Sequence, residues 1–441
     1  MGESLEQIVT VAAFDADGFG LTADAKRTRI RLALPGERLT TRAAGDFFLI
    51  KKILAAHPGR VVAPCPHFGR CGGCDLQQAD YRLQLELKRR IVRDLFKASR
   101  EPALRAAAEH IPAVMPSPKP FGYRQRLRLI TSAGGRLAFR GFRSHQTVAI
   151  DHCPLARPEI NAVLAALTTS KNFSALVTVV EEAEFLLNPD RGQIDLLLRL
   201  NRPSRPTDRD RARRILADTP RVGRIFFYGE QFSREAAICR ADDHGDAPCS
   251  LTYPPSRALP RGAILRWPVG GFCQVNLEQN LALLELVISW ASLNASDKAL
   301  ELFCGAGNFS IVIAKQAKSL IGVEGQGAAI RQAQANARLA QLANCRFVKA
   351  NVHDFCHNLA DSSERFSFIL LDPPRAGIPG LAAPLARLRP DRLILISCDP
   401  QSLVRDLAAL CHHGFSLEAL QAIDMFPQTH HLETVALLAP R

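Results

Sequence analysis

From Asn276 to Pro440, short apolar runs alternate with helix-length segments, and this rhythm constrains the fold more than any other feature. Runs such as Phe368-Ile369-Leu370-Leu371 and Leu393-Ile394-Leu395-Ile396 have no polar alternation. They suit strands buried on both faces, as in a parallel sheet with helices on either side. The alternation predicts a parallel doubly wound domain reaching Pro440. Open sheets of this kind bind ligands at the carboxyl ends of their strands. The residues that end the runs are therefore the ones to read for chemistry.

Lys298-Ala299-Leu300-Glu301-Leu302 runs into Phe303-Cys304-Gly305-Ala306-Gly307-Asn308-Phe309, and a helix is expected near Ser310. Glycines in such a turn let the backbone approach a ligand. A third glycine in dinucleotide spacing is missing, which weakens an NAD reading. Ser319–Glu324 ends in an acid nineteen residues after Gly305, the place where a ribose diol is held. Asn351 ends a third strand, and Asp372-Pro373-Pro374-Arg375 follows a fourth. Gly, Glu, Asn and Asp on consecutive strand ends describe an adenosine-containing cofactor in a methyltransferase-type fold. The plainer reading of Asp372 is a loop-start cap.

Cys398 closes the run ending at Ser397 and precedes Asp399-Pro400 and a helical pattern from Gln401 to Cys411. Asp399 suits a helix N-cap and Pro400 the first turn. A thiol there would feel a helix N-terminus, which favours the thiolate. Taken alone it reads as a small buried core residue, with a nucleophile as the alternative.

Upstream the pattern differs. Residues 5 to about 60 read as short strands with turns at Asp17-Gly18 and Pro35-Gly36, a small barrel. Leu83, Leu85, Leu87, Ile91, Leu95 and Phe96 among many Lys and Arg predict a basic amphipathic helix over Tyr81–Ser99. Arg124, Arg126 and Arg128 set against Leu127 and Leu129 predict antiparallel sheet with one arginine-bearing face. Asn201–Arg214, rich in Pro and Arg, reads as a surface excursion. The expected division is a barrel over 1–60, a central α+β domain over 61–265 and a Rossmann-like catalytic domain over 266–441.

Cys65, Cys71 and Cys74 form C-x5-C-x2-C, and Cys153 is the best fourth ligand. Three thiolates in ten residues plus a distant one fit a 4Fe–4S cluster. Structural zinc is the competitor, but it is usually built from two C-x2-C knuckles, and there is one here.

The net charge of +13 is uneven. Between Arg82 and Arg143 fifteen Lys/Arg stand against four Asp/Glu, a net of +11. Such a patch suits a polyanion, most simply nucleic acid; the alternative is a solvated surface. No apolar run reaches the ~18 residues of a membrane span. Met1–Glu6 is acidic and polar, without a signal-peptide pattern or the hydroxyl of a myristoylation site. With no secretion signal, the twelve cysteines are expected as reduced thiols or metal ligands in the cytoplasm.

Asp372-Pro373-Pro374-Arg375-Ala376-Gly377, Ile396-Ser397-Cys398-Asp399-Pro400 and Asp424-Met425-Phe426-Pro427-Gln428-Thr429-His430-His431-Leu432-Glu433-Thr434 together carry a family resemblance. The chain resembles the RNA uracil-5-methyltransferases, and more closely the bacterial 23S ribosomal RNA branch with an N-terminal TRAM domain and an iron–sulfur cluster. Asp17-Gly18-Phe19-Gly20, Leu34-Pro35-Gly36-Glu37, Cys71-Gly72-Gly73-Cys74-Asp75-Leu76-Gln77 and Phe272-Cys273-Gln274-Val275-Asn276 extend the likeness over nearly the whole chain. The resemblance implies S-adenosylmethionine held by Gln274, Phe303, Asn308, Glu324, Asn351 and Asp372. It implies Cys398 as nucleophile, Glu433 as general base, and a cluster on Cys65, Cys71, Cys74 and Cys153. The pocket on the preceding strand ends and a candidate base at Glu433 reverse the order of the two readings of Cys398. The implied partner is 23S ribosomal RNA, bound by a monomer. Asp399 stands where the family more often has asparagine. Two other readings share these features: the same chemistry on transfer RNA, and a non-catalytic RNA-binding protein stapled by the cluster.

Overall fold

Neighbouring residues of the strands Phe368–Leu371 and Arg392–Ser397 face opposite cores. The computed structural model describes residues 7–24, 27–240, 245, 247–257, 259–362 and 364–441; Met1–Glu6 lie outside the described residues.

The N-terminal strands β1 (Gln7–Phe14), β2 (Phe19–Thr22), β3 (Arg29–Arg31), β4 (Arg38–Ala44) and β5 (Phe47–Ala55) close into a barrel in the order β1-β2-β3-β5-β4. Val11, Ile30, Ala33 and Leu39 fill it. Gly18 and Gly36 turn at φ +84 and +88, a region costly for residues with a Cβ. The cysteine loop follows, then helices α1 (Tyr81–Ala98) and α2 (Pro102–Ala107).

A central sheet comes next, from β6 (Arg126–Thr131), β7 (Leu137–Arg140), β8 (Thr147–Ala149), helices α3 (Pro158–Thr169) and α4 (Lys171–Leu176), β9 (Val180–Asn188), β10 (Gln193–Leu200), α5 (Pro206–Asp218), β11 (Val222–Tyr228) and β12 (Ile238–Cys239). Its order is β12-β11-β10-β9-β6-β7-β8. A hairpin of β13 (Cys249–Tyr253) and β14 (Ala263–Trp267) leads onward.

The predicted excursion at Asn201–Arg214 is largely helix α5. Asp208 in its first turn is buried and takes Arg202 at 2.7 Å and the Arg205 N–H at 2.9 Å. Ala212, Ile215 and Leu216 face the central core. The Pro and Arg content hid a helix because Pro206 sits at the first position, where proline is tolerated.

The catalytic sheet is built from α6 (Leu277–Ala291), β15 (Lys298–Leu302), α7 (Ser310–Ala314), β16 (Ser319–Glu324), α8 (Gly327–Leu339), β17 (Cys345–Lys349), α9 (Val352–Ala360), β18 (Phe368–Leu371), α10 (Ala382–Leu388), β19 (Arg392–Ser397), α11 (Pro400–His412), β20 (Phe415–Ile423) and β21 (Glu433–Pro440). Its order is β17-β16-β15-β18-β19-β21-β20. Ile369, Leu371, Leu393 and Leu395 face one core, while Phe368, Leu370, Ile394 and Ile396 face the other. This two-sided burial is why the runs lack polar alternation.

Two expectations need correction here. The sheet is not parallel to its end: β21 runs antiparallel between β19 and β20. The basic segment also does not lie wholly outside. Val92, Phe96 and Leu104 pack into the same core as Leu300 and Leu395, and Lys88 is fully buried against Asp424. Arg126 is paired with Glu184, and Arg128 lies 3.4 Å from Glu182. Buried cations need carboxylate partners, so part of the charge is spent internally. No single described helix is long and apolar enough to cross a membrane.

Candidate active site

The strand order reverses between β15 and β18, the switch point where doubly wound sheets open a crevice. Phe303 leaves β15 at φ +63, and Gly305 and Gly307 follow at +54 and +90. A bulky residue in that region is a strained outlier, and such strain collects at ligand sites. Glu324, at the end of β16, accepts the Gly305 N–H at 3.3 Å and the Gln326 N–H at 2.8 Å. Its carboxylate is thereby fixed beside the glycine turn. Asn351 caps α9, accepting from His353 N at 2.9 Å and Asp354 N at 3.3 Å. Asn308 exchanges two 2.9 Å hydrogen bonds with Asn280. Gln274 lies just before α6, and its carbonyl accepts from the Gln125 side chain at 2.5 Å.

Beyond the switch, Asp372 is partly buried after β18, and burial pushes its carboxyl up to about 7. Glu301, inside β15, was passed over in the apolar run. It is buried, and burial with the Asp372 charge pushes it up to about 8; Ser310 works against the shift. One Glu301 oxygen, Oε1, is buried with no hydrogen-bond partner. An acid inside an apolar strand is costly unless something compensates it, and that was the missed signal.

Cys398 and Glu433 meet because β21 is antiparallel. Ser397 pairs with Thr434, so the next residues on each strand leave the same end of the sheet. Glu433 is buried, and burial followed by the Asp372 charge raises its carboxyl well above the usual range. The helix cap at Asp399 is as predicted, accepting from Ser402 N at 2.7 Å. The predicted thiolate stabilisation is overturned. Burial first, then Glu433, Asp372 and Asp399, pushes the Cys398 thiol up to about 12, opposed by Arg375. A helix terminus acts over one turn, and three nearby carboxylates outweigh it. Sequence reasoning also missed His431, whose Nε2 lies 3.4 Å from Arg375 Nη2. Its imidazole is pushed down to about 3, chiefly by burial, then by His430 and Arg375.

Cys65, Cys71, Cys74 and Cys153 are brought together although Cys153 is distant in sequence. All four are partly buried. Burial raises Cys71 and Cys74 first, and the charge of Cys153 adds to both. The Gly73 N–H points at Cys71 Sγ at 3.4 Å. Backbone N–H groups of Leu155 and Ala156 face Cys153. Soft thiolate donors with N–H bonds to sulfur are the surroundings an iron–sulfur cluster uses. Among the described residues, no three His, Cys, Asp or Glu side chains close into a group that could hold a metal ion.

Residues 260–441 match the tRNA (Uracil-5-)-methyltransferase family. The chain is 32% identical to the 23S rRNA (uracil(1939)-C(5))-methyltransferase RlmD of Pectobacterium carotovorum subsp. carotovorum strain PC1 over 440 residues, covering 97% of this chain and 93% of that protein. It is likewise 32% identical to RlmD of Pseudomonas entomophila strain L48, covering 98% and 93%. The chain belongs to the RNA uracil-C5-methyltransferase family.

As a family member it is a uracil-C5-methyltransferase of RNA that uses S-adenosylmethionine. Its fold is also that of the Pyrococcus abyssi tRNA (uracil-54, C5)-methyltransferase, solved with S-adenosyl-L-homocysteine. The TM-score is 0.75 at 20% identity, covering 98% of this chain and all of that one. At this end of the sheet the Asp372 charge opposes ionisation of both Glu301 and Glu433.

Proposed function

We propose that this enzyme methylates C5 of one uridine in 23S ribosomal RNA through a covalent adduct on Cys398. The observation that carries the reading is the convergence of Cys398 with Glu433 across β19 and β21. C5 of uracil is too weak a nucleophile to take a methyl group unaided. The Cys398 thiol passes its proton to water, Sγ bonds C6, and C5 becomes an enolate carbon able to attack the methyl. The methyl donor supplies an electrophilic methyl on a positive sulfur. Glu433 then takes the C5 proton, and loss of Sγ restores the C5–C6 double bond. The raised carboxyl of Glu433 suits a base that must hold a proton in a dry pocket. The uracil must leave its stack to reach the thiol.

Gln274, Phe303, Asn308, Glu324, Asn351 and Asp372 hold the cofactor in this reading, with Glu324 on the ribose. Cys65, Cys71, Cys74 and Cys153 hold a 4Fe–4S cluster that ties the loop before α1 to the segment after β8. Residues 1–60 form a TRAM-type RNA-gripping barrel, 61–265 the central domain and 266–441 the catalytic domain. The protein works as a monomer on ribosomal RNA in the cytoplasm. The 23S substrate rests on the names of the relatives. It is tested by mass-spectrometric mapping of 5-methyluridine in ribosomal and transfer RNA from a deletion strain. Loss from 23S RNA alone is expected; loss from transfer RNA alone would replace this substrate.

A further inference from the structure

His430 touches three separate parts of the chain. Its backbone N–H donates to Asp75 Oδ1 at 2.7 Å, and its ring Nδ1 donates to Asp75 Oδ2 at 2.5 Å. Asp75 directly follows Cys74 of the cysteine loop. The ring also covers the barrel turn: a Cβ on Gly18 would lie 2.9 Å from His430 Nδ1. It also packs against His431, with ring centroids 4.0 Å apart and the planes tilted by 48°. His431 lies beside Arg375, a cation that eases ionisation of Cys398. Glu433 follows three residues on.

The strap that carries His430, residues 424–432 between β20 and β21, is tied twice more. Gln428, held at φ +71, takes the Asp75 and Leu76 N–H groups on its carbonyl at 3.2 and 3.1 Å. Lys88 and Tyr81 of α1 both reach Asp424 at the strap's start. A strap between two strands has no ladder of its own, so side-chain tethers set where its residues sit.

We propose that Asp75 and His430 are positioning residues that couple the cysteine loop and barrel turn to the reaction site, by holding His431 and Arg375 beside Cys398. This rests on the roles assigned above to Cys398 and Glu433. A purely structural clamp would change stability and leave the chemistry of Cys398 untouched.

The test uses full-length protein prepared without oxygen. Asp75→Asn, His430→Gln, the double variant and Cys398→Ala are compared in single-turnover methyl transfer to unmodified 23S RNA. In RNA-free protein, the alkylation rate of Cys398 by iodoacetamide is followed against pH. Each single clamp variant is expected to lower turnover about tenfold to a hundredfold, as for a small misplacement of reacting groups. The double variant should be no worse than the poorer single one. Alkylation at pH 8 should slow about threefold, a displacement of the profile by about half a pH unit upward as Arg375 is released. S-adenosylhomocysteine affinity in both single variants, and iron content in His430→Gln, should stay within about twofold of wild type, because neither residue belongs to the cofactor set and His430 lies outside the cysteine loop. Wild-type turnover and alkylation in both single variants, with Cys398→Ala inactive, overturns the clamp and leaves the reaction standing. An active Cys398→Ala removes the reaction assignment, and the alkylation profile still decides the clamp. Should Asp75→Asn fail to fold, His430→Gln alone carries the comparison.

Discussion

Ser397 and Thr434 are register partners across antiparallel β19 and β21. That pairing brings a thiol and a carboxyl from distant parts of the chain to one end of the sheet. It also sets their electrostatics, because Glu433 contributes directly to the raised thiol.

Cys398→Ala is expected to abolish methyl transfer while S-adenosylmethionine still binds. Glu433→Gln should form the RNA adduct and resolve it slowly, since the proton on C5 has no acceptor. A slow-migrating RNA–protein band on a denaturing gel checks this. Its absence in Glu433→Gln would count against the covalent route.

Cofactor affinity should depend on pH. Below about 7 the partly buried Asp372 carries a proton, and above it the carboxylate is exposed to its acidic neighbours. A cation favours the ionised form, so affinity for S-adenosylmethionine rises between pH 6 and 8. S-adenosylhomocysteine lacks the sulfonium charge and should gain less. Calorimetric titrations at both pH values test the sign, and Asp372→Asn should flatten it.

Lys88 and Asp424 are wholly buried and paired. Lys88→Met strands the carboxylate, with only the Tyr81 hydroxyl at 2.8 Å left among its side-chain donors. Removing one partner of a buried pair costs about 3–5 kcal/mol. Urea unfolding followed by circular dichroism should show the loss. Lys88→Met combined with Asp424→Asn should recover part of it.

Anaerobically prepared protein should be brown, with broad absorbance at about 400 nm, and hold about four irons as for a thiolate-bound cluster. Cys74→Ser should lose the colour and lower the melting temperature, because the loop before α1 is no longer tied to Cys153. Stoichiometric zinc in a colourless sample would overturn the cluster.

The run-ends Gly305, Glu324, Asn351, Asp372 and Cys398 were legible because two-sided burial writes strands as unbroken apolar runs. The helix cap at Asp399 was legible for a local reason, an Asp-Pro pair opening a helical pattern. Helix α5 was not, since proline and arginine resemble a loop until the buried Asp208 is seen.

By itself the sequence determined which residue types end the strands, and hence that a glycine turn, three polar residues and a thiol share one sheet edge. The tertiary structure decided what that thiol experiences. Period and composition carry no record of β21 inserting antiparallel, of Lys88 turning inward, or of His430 meeting Asp75. Those contacts join residues hundreds of positions apart, and burial multiplies their charges. Proximity in a low dielectric, rather than residue identity, raises Cys398 where the helix cap alone would lower it.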